Sequence, residues 1–148
     1  NTSHIQDRLL KAHIVSPEDV PYLWDSVGPM IAKVTEHSEG ELETDDFLEH
    51  LMDGCMQLWI VTEDKEIIIS MVTQLIEYPQ KRVLRLIALA GKDFIEVHNN
   101  FIDMLESYAI KKQCSALELW GRKGWKKMLP DWKDSYIVFT KDLKERMH

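Results

Sequence analysis

The sequence predicts one α/β domain of three layers, in which a mixed β-sheet lies between helices. Apolar residues recur at helical spacing in two segments that precede a run rich in β-branched residues, and a third helical segment follows that run. The run divides into three strands joined by short turns, which is typical of an antiparallel meander. A chain of 148 residues has the usual length of one domain, so we assign residues 1–148 to a single domain.

The first third of the chain predicts one strand and two helices. Leu10–Val15 is the short strand. The signals that begin, interrupt and end the helices are Ser16 as N-cap with Pro17 at the first helical position, a kink or break at Gly28-Pro29, a second start at Thr44, and a stop at Gly54.

The rest of the chain predicts the three strands of the meander and four elements after them. The predicted elements are strands Met56–Thr62, Glu66–Ile76 and Arg82–Ala90, a helix opened by Asp93, strand Ser115–Trp120, a short helix Lys123–Met128 and strand Ser135–Thr140. The full order is β-α-α-β-β-β-α-β-α-β. Because a helical crossover joins parallel strands, Arg82–Ala90 and Ser115–Trp120 are expected to pair in parallel.

Charge is distributed unevenly along the chain. Residues 1–80 carry 4 basic and 16 acidic side chains, whereas residues 81–148 carry 14 basic and 9 acidic ones, for a net charge of -7. This balance argues against non-specific nucleic-acid binding, which draws on many lysine and arginine contacts to phosphate. The basic half either holds a small polyanion or attracts the acidic half across a shared core.

Other features bear on the cellular compartment. No run of about 18 apolar residues occurs, so we expect no membrane span, and the first eleven residues lack the apolar core of a signal peptide. Two cysteines, Cys55 and Cys114, are typical of a reducing compartment, which predicts a cytoplasmic protein without a structural disulfide.

Five segments carry a resemblance to a known fold family: Val20–Trp24, Ser38–Glu41, Gln57–Ile60, Leu84–Gly91 and Cys114–Trp125. Together with the element order, they make the chain resemble the GCN5-related N-acetyltransferase (GNAT) fold over essentially its whole length. More narrowly, the chain resembles the small acetyltransferase-like proteins of tailed bacteriophages, some of which are internal virion proteins. The resemblance implies an acyl-CoA N-acyltransferase-like three-layer sandwich.

The resemblance also implies where acetyl-CoA would bind. In this fold the turn from the fourth strand into the next helix binds pantetheine and pyrophosphate through a glycine-rich signature. The corresponding residues here are Leu89, Ala90, Gly91 and Lys92, of which only Gly91 matches the signature. Asp93 follows where phosphate would arrive and would repel it, so we expect weak or no acetyl-CoA binding. Alternatively, Gly91 only permits the turn between strand and helix.

Catalytic residues implied by the resemblance are incompletely present. Trp125 stands where the family commonly has the tyrosine that protonates the leaving thiolate, which leaves Tyr108 and Tyr136 as substitutes. Glu118 or Glu77 could act as general base through water, although a strand glutamate is more commonly paired with a cation or exposed. The six histidines show no metal-ligand spacing, so no metal site is predicted.

Two surfaces are candidates for partners. The acidic run Glu36–Asp53 holds eight carboxylates without lysine or arginine, so it attracts a cationic amine or a basic partner, or is simply solvated. A phage or host protein would dock on Trp120, Arg122, Trp125 and Trp132, unless these residues belong to the core.

Two functions are compatible with these residues. The gaps in the cofactor signature and at the acid position favour a non-catalytic or degenerate phage-type protein with a virion-associated, assembly or host-interaction role. Such a protein would reside in the host cytoplasm or the virion. The alternative is an acyl-CoA-dependent N-acetyltransferase that transfers acetyl from acetyl-CoA to an amine.

Overall fold

Five strands form one mixed sheet in the computed structural model, which describes residues 9–36, 43–119, 129, 131–133 and 139–143. The strands lie in the order β1-β2-β3-β4-β5, antiparallel up to β4 and parallel between β4 and β5. The predicted parallel pair is therefore confirmed. The strands are β1 (Leu10–Val15), β2 (Gln57–Glu63), β3 (Glu66–Glu77), β4 (Arg82–Gly91) and β5 (Ala116–Leu119). The helices are α1 (Val20–Thr35), α2 (Thr44–Met52) and α3 (Phe94–Lys111).

Helix α1 begins later than predicted and runs without a break. Asp19, not Ser16, is its N-cap, because Ser16 starts a turn in which the Asp19 N–H donates to its carbonyl at 3.0 Å. Pro29 lies inside the helix, so the predicted break is wrong. Val27 and Ile31 are both 0% exposed on either side of the proline, and this burial keeps the two halves on the sheet despite the missing hydrogen bond.

Helix α2 has the predicted limits. It starts at Thr44 after a capping box, in which Asp46 Oδ2 accepts the Glu43 N–H at 2.8 Å. Asp53 is the C-cap, and Gly54 follows with a φ of 85°, a conformation that favours glycine.

Helices cover both faces of the sheet, as the three-layer prediction requires. Helix α3 packs on one face and forms what we call the α3-side core. Helices α1 and α2 pack on the other face and form the α1-side core. The α3-side core includes Trp59, Met71, Leu84, Leu86, Val97, Phe101 and Leu105. The α1-side core includes Val27, Ile31, Phe47, Leu51, Leu58, Val72 and Ala88.

Two predicted elements fall largely beyond the described ranges. The helix Lys123–Met128 lies outside them, as does the strand Ser135–Thr140 apart from its last two residues, which are not in a strand. Within the described ranges, no helix is both long and apolar enough to cross a membrane.

Candidate functional site

Strand β4 extends beyond its pairing with β5. The described parallel pairing runs from Val83 opposite Ala116 to Leu86 opposite Leu119. Strand β4 then continues through Ile87–Gly91, which pairs with β3 on one side and has no partner among the described residues on the other. The separation of the two strands beyond this point stays a prediction, because residue 120 lies outside the described ranges.

A β-bulge interrupts β4 where the described pairing with β5 ends. Leu86 lies opposite Thr73 and Ala88 lies opposite Val72, so Ile87 is an extra residue on β4. Ile87 and Ala88 both contact the α1-side core, although consecutive strand residues normally point to opposite faces. The bulge thus reorients the strand at the start of the edge that has no described partner.

Gly91 is required by the sheet itself. Its φ is 129°, and a Cβ built on it would lie 2.0 Å from the Ile68 carbonyl oxygen and 2.8 Å from the Ile69 Cα. No side chain fits at such distances unless the β3 backbone moves. The Lys92 N–H donates to the same Ile68 oxygen at 3.0 Å. The close approach of β3 therefore explains this glycine without reference to a ligand.

The other three predicted cofactor residues lie along the same strand and turn. Ala90 is buried, Leu89 packs against the α3-side core, and Lys92 has an exposed side chain with its N–H already used. Only the Lys92 ammonium and the backbone of Leu89 and Ala90 are thus suited to a ligand.

Asp93 is the N-cap of α3 and adopts a left-handed conformation. Its φ and ψ are 62° and 33°, and its side chain makes no capping hydrogen bond to the helix. The first turn of α3 therefore keeps N–H groups that no side-chain cap from Asp93 satisfies, and the positive end of the helix dipole lies there. The Asp93 carboxylate beside it opposes a second anion.

Glu118 is held by two neighbours rather than free. Arg85 lies directly opposite it across the β4–β5 pair, and Arg85 Nε donates to Glu118 Oε1 at 2.6 Å. The Tyr78 hydroxyl donates to Oε2 at 2.9 Å and accepts from Arg85 Nη2 at 3.0 Å. Arg85 and Glu118 are 17% and 24% exposed. A proton transferred to Glu118 would compete with the hydrogen bonds that its carboxylate already accepts from Arg85 and Tyr78.

This trio lies on the α1 side of the sheet. Leu84 and Leu86, which flank Arg85, belong to the α3-side core, so Arg85 points to the opposite face. Leu117 and Leu119 flank Glu118 in the same way. The trio is adjacent to the last described β4–β5 pair, after which β4 has no partner on that side within the described ranges. Sequence analysis named Glu118 but missed Arg85 and Tyr78.

Other catalytic candidates lie in different surroundings. Glu77 forms an exposed ion pair with Arg82 at the ends of β3 and β4. Tyr108 packs edge-on against Trp59 with a centroid separation of 5.0 Å, and burial raises the pKa of its phenol. Trp59 belongs to β2, two strands away from β4, and the role of Tyr108 as a substitute acid stays a prediction. Tyr136 lies outside the described residues.

The tryptophan surface can be described at one residue only. Trp132 is half-buried and packs against the α3-side core. The remaining members of the predicted docking surface, Trp120, Arg122 and Trp125, lie outside the described ranges. A phage or host protein as partner therefore stays a prediction.

Comparisons with known proteins identify the fold. No family model and no curated protein matches the chain, whereas 124 chains of solved structures do. An aminoglycoside acetyltransferase from an uncultured soil metagenomic sample, in complex with sisomicin, is 14% identical with a TM-score of 0.67; the match covers 91% of this chain and 97% of that one. A predicted acetyltransferase with acetyl-CoA from Clostridium acetobutylicum is 14% identical with a TM-score of 0.65, covering 90% and 96%.

A third neighbour has a protein acceptor in its name. The ribosomal-protein-alanine N-acetyltransferase from Brucella melitensis is 12% identical with a TM-score of 0.66, and the match covers 90% of this chain and 99% of that one. At these identities the likeness establishes the fold, and the chain has the GCN5-related N-acetyltransferase fold that the sequence predicted. The narrower resemblance to phage proteins stays a prediction.

Proposed function

We propose that this protein is an acetyl-CoA-dependent N-acetyltransferase. The observation that carries the proposal is the edge of β4 over Ile87–Gly91, which has no described partner and leads directly into the N-terminus of α3. The fold that surrounds this edge is shared with acetyltransferases over about nine-tenths of the chain. This likeness supports the N-acetyltransferase, which the sequence analysis gave as the alternative, better than a non-catalytic protein.

Two parts of acetyl-CoA have candidate contacts among the described residues, namely the pantetheine arm and the pyrophosphate. When bound, acetyl-CoA supplies an activated thioester whose acetyl carbon an amine attacks. The backbone groups of β4 that have no partner among the described residues would hydrogen-bond the amides of the pantetheine arm in the manner of an added strand. The first turn of α3 and the Lys92 ammonium would face the pyrophosphate, since helix N-termini favour anions. Asp93 weakens this site without removing its N–H donors.

The acceptor we propose is a cationic amine. Six of the eight carboxylates between Glu36 and Asp53 are in the described ranges, and five of those six are exposed. Such a field concentrates cations near the α1 side of the sheet. Glu118 lies on that side beside the β4 edge, so it is our candidate to receive the amine proton through water. Arg85 and Tyr78 would then position its carboxylate.

A second candidate function is a non-catalytic protein with the same fold. The observation that favours it is the engagement of both Glu118 oxygens by Arg85 and Tyr78, together with the sheet-packing reason for Gly91. A virion, assembly or host-interaction role belongs to this candidate and stays a prediction. The two candidates differ in one measurable property, which is acetyl transfer.

Acetyl transfer is tested by following thiol release from acetyl-CoA with a panel of amines. The panel should contain an aminoglycoside, a polyamine and a peptide with a free α-amine, with a neutral amine as control. Our proposal predicts amine-dependent release of CoA that favours the cationic acceptors. Glu118→Gln should lower kcat with little change in the KM for acetyl-CoA, whereas the exposed control Glu77→Gln should change neither. Absence of turnover with every amine would support the non-catalytic candidate.

Cofactor affinity is tested separately with Asp93→Asn. Asparagine tolerates the left-handed conformation of residue 93, so the variant removes a negative charge and keeps the turn. A charge near a helix N-terminus contributes about 0.3–1 kcal/mol, so the Kd for acetyl-CoA should fall by roughly two- to fivefold. Calorimetric titration measures this change. An unchanged Kd would place the pyrophosphate away from α3.

A further inference from the structure

Three side chains that bind metal ions converge at the end of α2. His50 lies in the last turn of the helix, Asp53 is its C-cap, and Cys55 follows after Gly54. One ligand atom from each of the three lies within 4.8 Å of the others. His50 Nδ1 is 3.8 Å from Asp53 Oδ2, and the Cys55 N–H donates to Asp53 Oδ1 at 2.8 Å. Imidazole, carboxylate and thiol donors thus meet within six residues of chain.

Local backbone structure brings these side chains together. Gly54 has a φ of 85° with no atom within 4 Å of a built Cβ, so it reverses the chain in open space. The Met56 N–H then donates to the His50 carbonyl at 3.0 Å, which holds the start of β2 against the last turn of α2. This closure fixes Cys55 next to His50 and Asp53.

His50 supplies an independent indication of a ligand. Its Nδ1 atom is buried, although the ring as a whole is partly exposed, and none of the described residues hydrogen-bonds to it. A buried ring nitrogen is normally paired, because leaving it unpaired loses its hydration without compensation. The atom points toward the Asp53 carboxylate at a distance too long for a hydrogen bond. A cation between the two would satisfy both.

The surroundings favour a cation. Glu49 lies one turn before Asp53, and α2 carries further carboxylates in its first turn but no lysine or arginine. The C-terminal end of a helix also carries partial negative charge, which adds to that of the Asp53 carboxylate. Asp53 and Cys55 are exposed, so their side chains can rotate by the ångström or so that separates the present spacing from a coordination sphere.

We propose that His50, Asp53 and Cys55 bind one zinc-like divalent transition-metal ion. Nitrogen, oxygen and sulfur ligands in a set of three are typical of Zn²⁺ sites that keep a water in the fourth position. On binding, the Cys55 thiol loses its proton to solvent and its sulfur bonds the metal, so one proton is released per ion. Hard cations such as Mg²⁺ prefer oxygen ligands only and should not compete.

Cobalt titration tests the proposal, because Co²⁺ reports its ligands by colour. CoCl₂ added to the full chain under a non-chelating reductant should produce a thiolate-to-cobalt charge-transfer band that saturates at one ion per chain. ZnCl₂ should then displace the cobalt and bleach the band, whereas MgCl₂ should not. Zinc affinity is measured by competition with a chromophoric chelator. Neither the cobalt band nor the zinc competition depends on acetyl-CoA. A failure of the metal proposal can therefore be distinguished from a failure of the proposed enzyme activity.

Variants assign the ligands. Cys55→Ser should abolish the charge-transfer band, and His50→Gln and Asp53→Asn should each weaken zinc binding by more than tenfold. The matched controls are Cys114→Ser, in the connection between α3 and β5, and His13→Gln on β1, and both should bind as wild type. Far-ultraviolet circular dichroism confirms that each variant is folded. A saturating band that survives Cys55→Ser, or zinc binding unaffected by all three substitutions, would overturn the proposal.

Discussion

Gly91 offers the sharpest test of how the sheet is built around the candidate site. Replacing it with alanine puts a Cβ 2.0 Å from the Ile68 carbonyl oxygen and 2.8 Å from the Ile69 Cα. The side chain would also have to adopt a φ of 129°, which L-residues rarely occupy. Both penalties arise from β3 and the backbone, and neither depends on a ligand.

The expected destabilisation follows from these two penalties. A non-glycine residue in such a backbone conformation costs about 1–3 kcal/mol, and forced overlap in a packed region costs about 1–3 kcal/mol more. Gly91→Ala should therefore lower the free energy of unfolding by about 4 kcal/mol. For a domain of this length, that loss corresponds to a Tm decrease of roughly 8–16 °C.

Gly54→Ala is the matched control, because this glycine also has a positive φ but has open space where a Cβ would lie. The free energy of unfolding of Gly54→Ala should fall only by the cost of the backbone conformation, about 1–2 kcal/mol. Urea unfolding followed by circular dichroism measures both variants, with the slope m unchanged. Equal losses in the two variants would refute the close approach of β3 as the reason for Gly91. A stable Gly91→Ala protein that no longer binds acetyl-CoA would show that the glycine serves the cofactor.

Three further predictions concern other parts of the chain. Thr73→Val removes the hydroxyl that accepts the Trp59 indole N–H at 2.9 Å in the core, so urea unfolding should show a loss of about 1–3 kcal/mol that Thr73→Ser largely avoids; equal losses would contradict this. Hydrogen bonding to Asp53 raises the pKa of the Cys55 thiol and so lowers its thiolate fraction. Asp53→Asn should therefore speed iodoacetamide labelling of Cys55 at about pH 8 with a metal chelator present, and mass spectrometry that finds slower labelling would contradict the assignment. If residue 125 lies beside the leaving thiolate, Trp125→Tyr should raise the rate of acetyl transfer more than about tenfold, because the introduced phenol can protonate that thiolate. An unchanged rate would exclude position 125 as the place of the general acid.

Local sequence signals predicted the strands well. The hairpin between β2 and β3 turns at Asp64 and Lys65, as its polar residues indicated, and both residues take positive φ values of 49° and 69°. The start of α1 was misplaced because Ser16 and Pro17 are as typical of a turn as of a helix start. The continuity of α1 through Pro29 depends on burial against the sheet, which local sequence does not report.

The candidate site was less predictable, since its contacts join distant parts of the chain. Glu118 contacts Arg85 across 33 residues and Tyr78 across 40, and only the β4–β5 register brings them together. The signal that could have suggested this pair was the predicted parallel pairing of a strand with two arginines, Arg82 and Arg85, and a strand with a single acid, Glu118. For Gly91 the sequence predicted the position of the turn but not why glycine is needed there. Glycine is needed because the Ile68 carbonyl of β3 lies too close for a side chain, and the sequence does not reveal that distance.

We propose that acetyl-CoA binds along Ile87–Gly91 of β4, and amide chemical shifts test this binding. Acetyl-CoA is titrated into ¹⁵N-labelled protein, and the perturbed amides are mapped onto the sheet. We expect saturable shifts that cluster over Ile87–Gly91 and the first turn of α3, with β1 and β2 unchanged. Absence of shifts at a large excess of acetyl-CoA, or shifts confined to other elements, would contradict it.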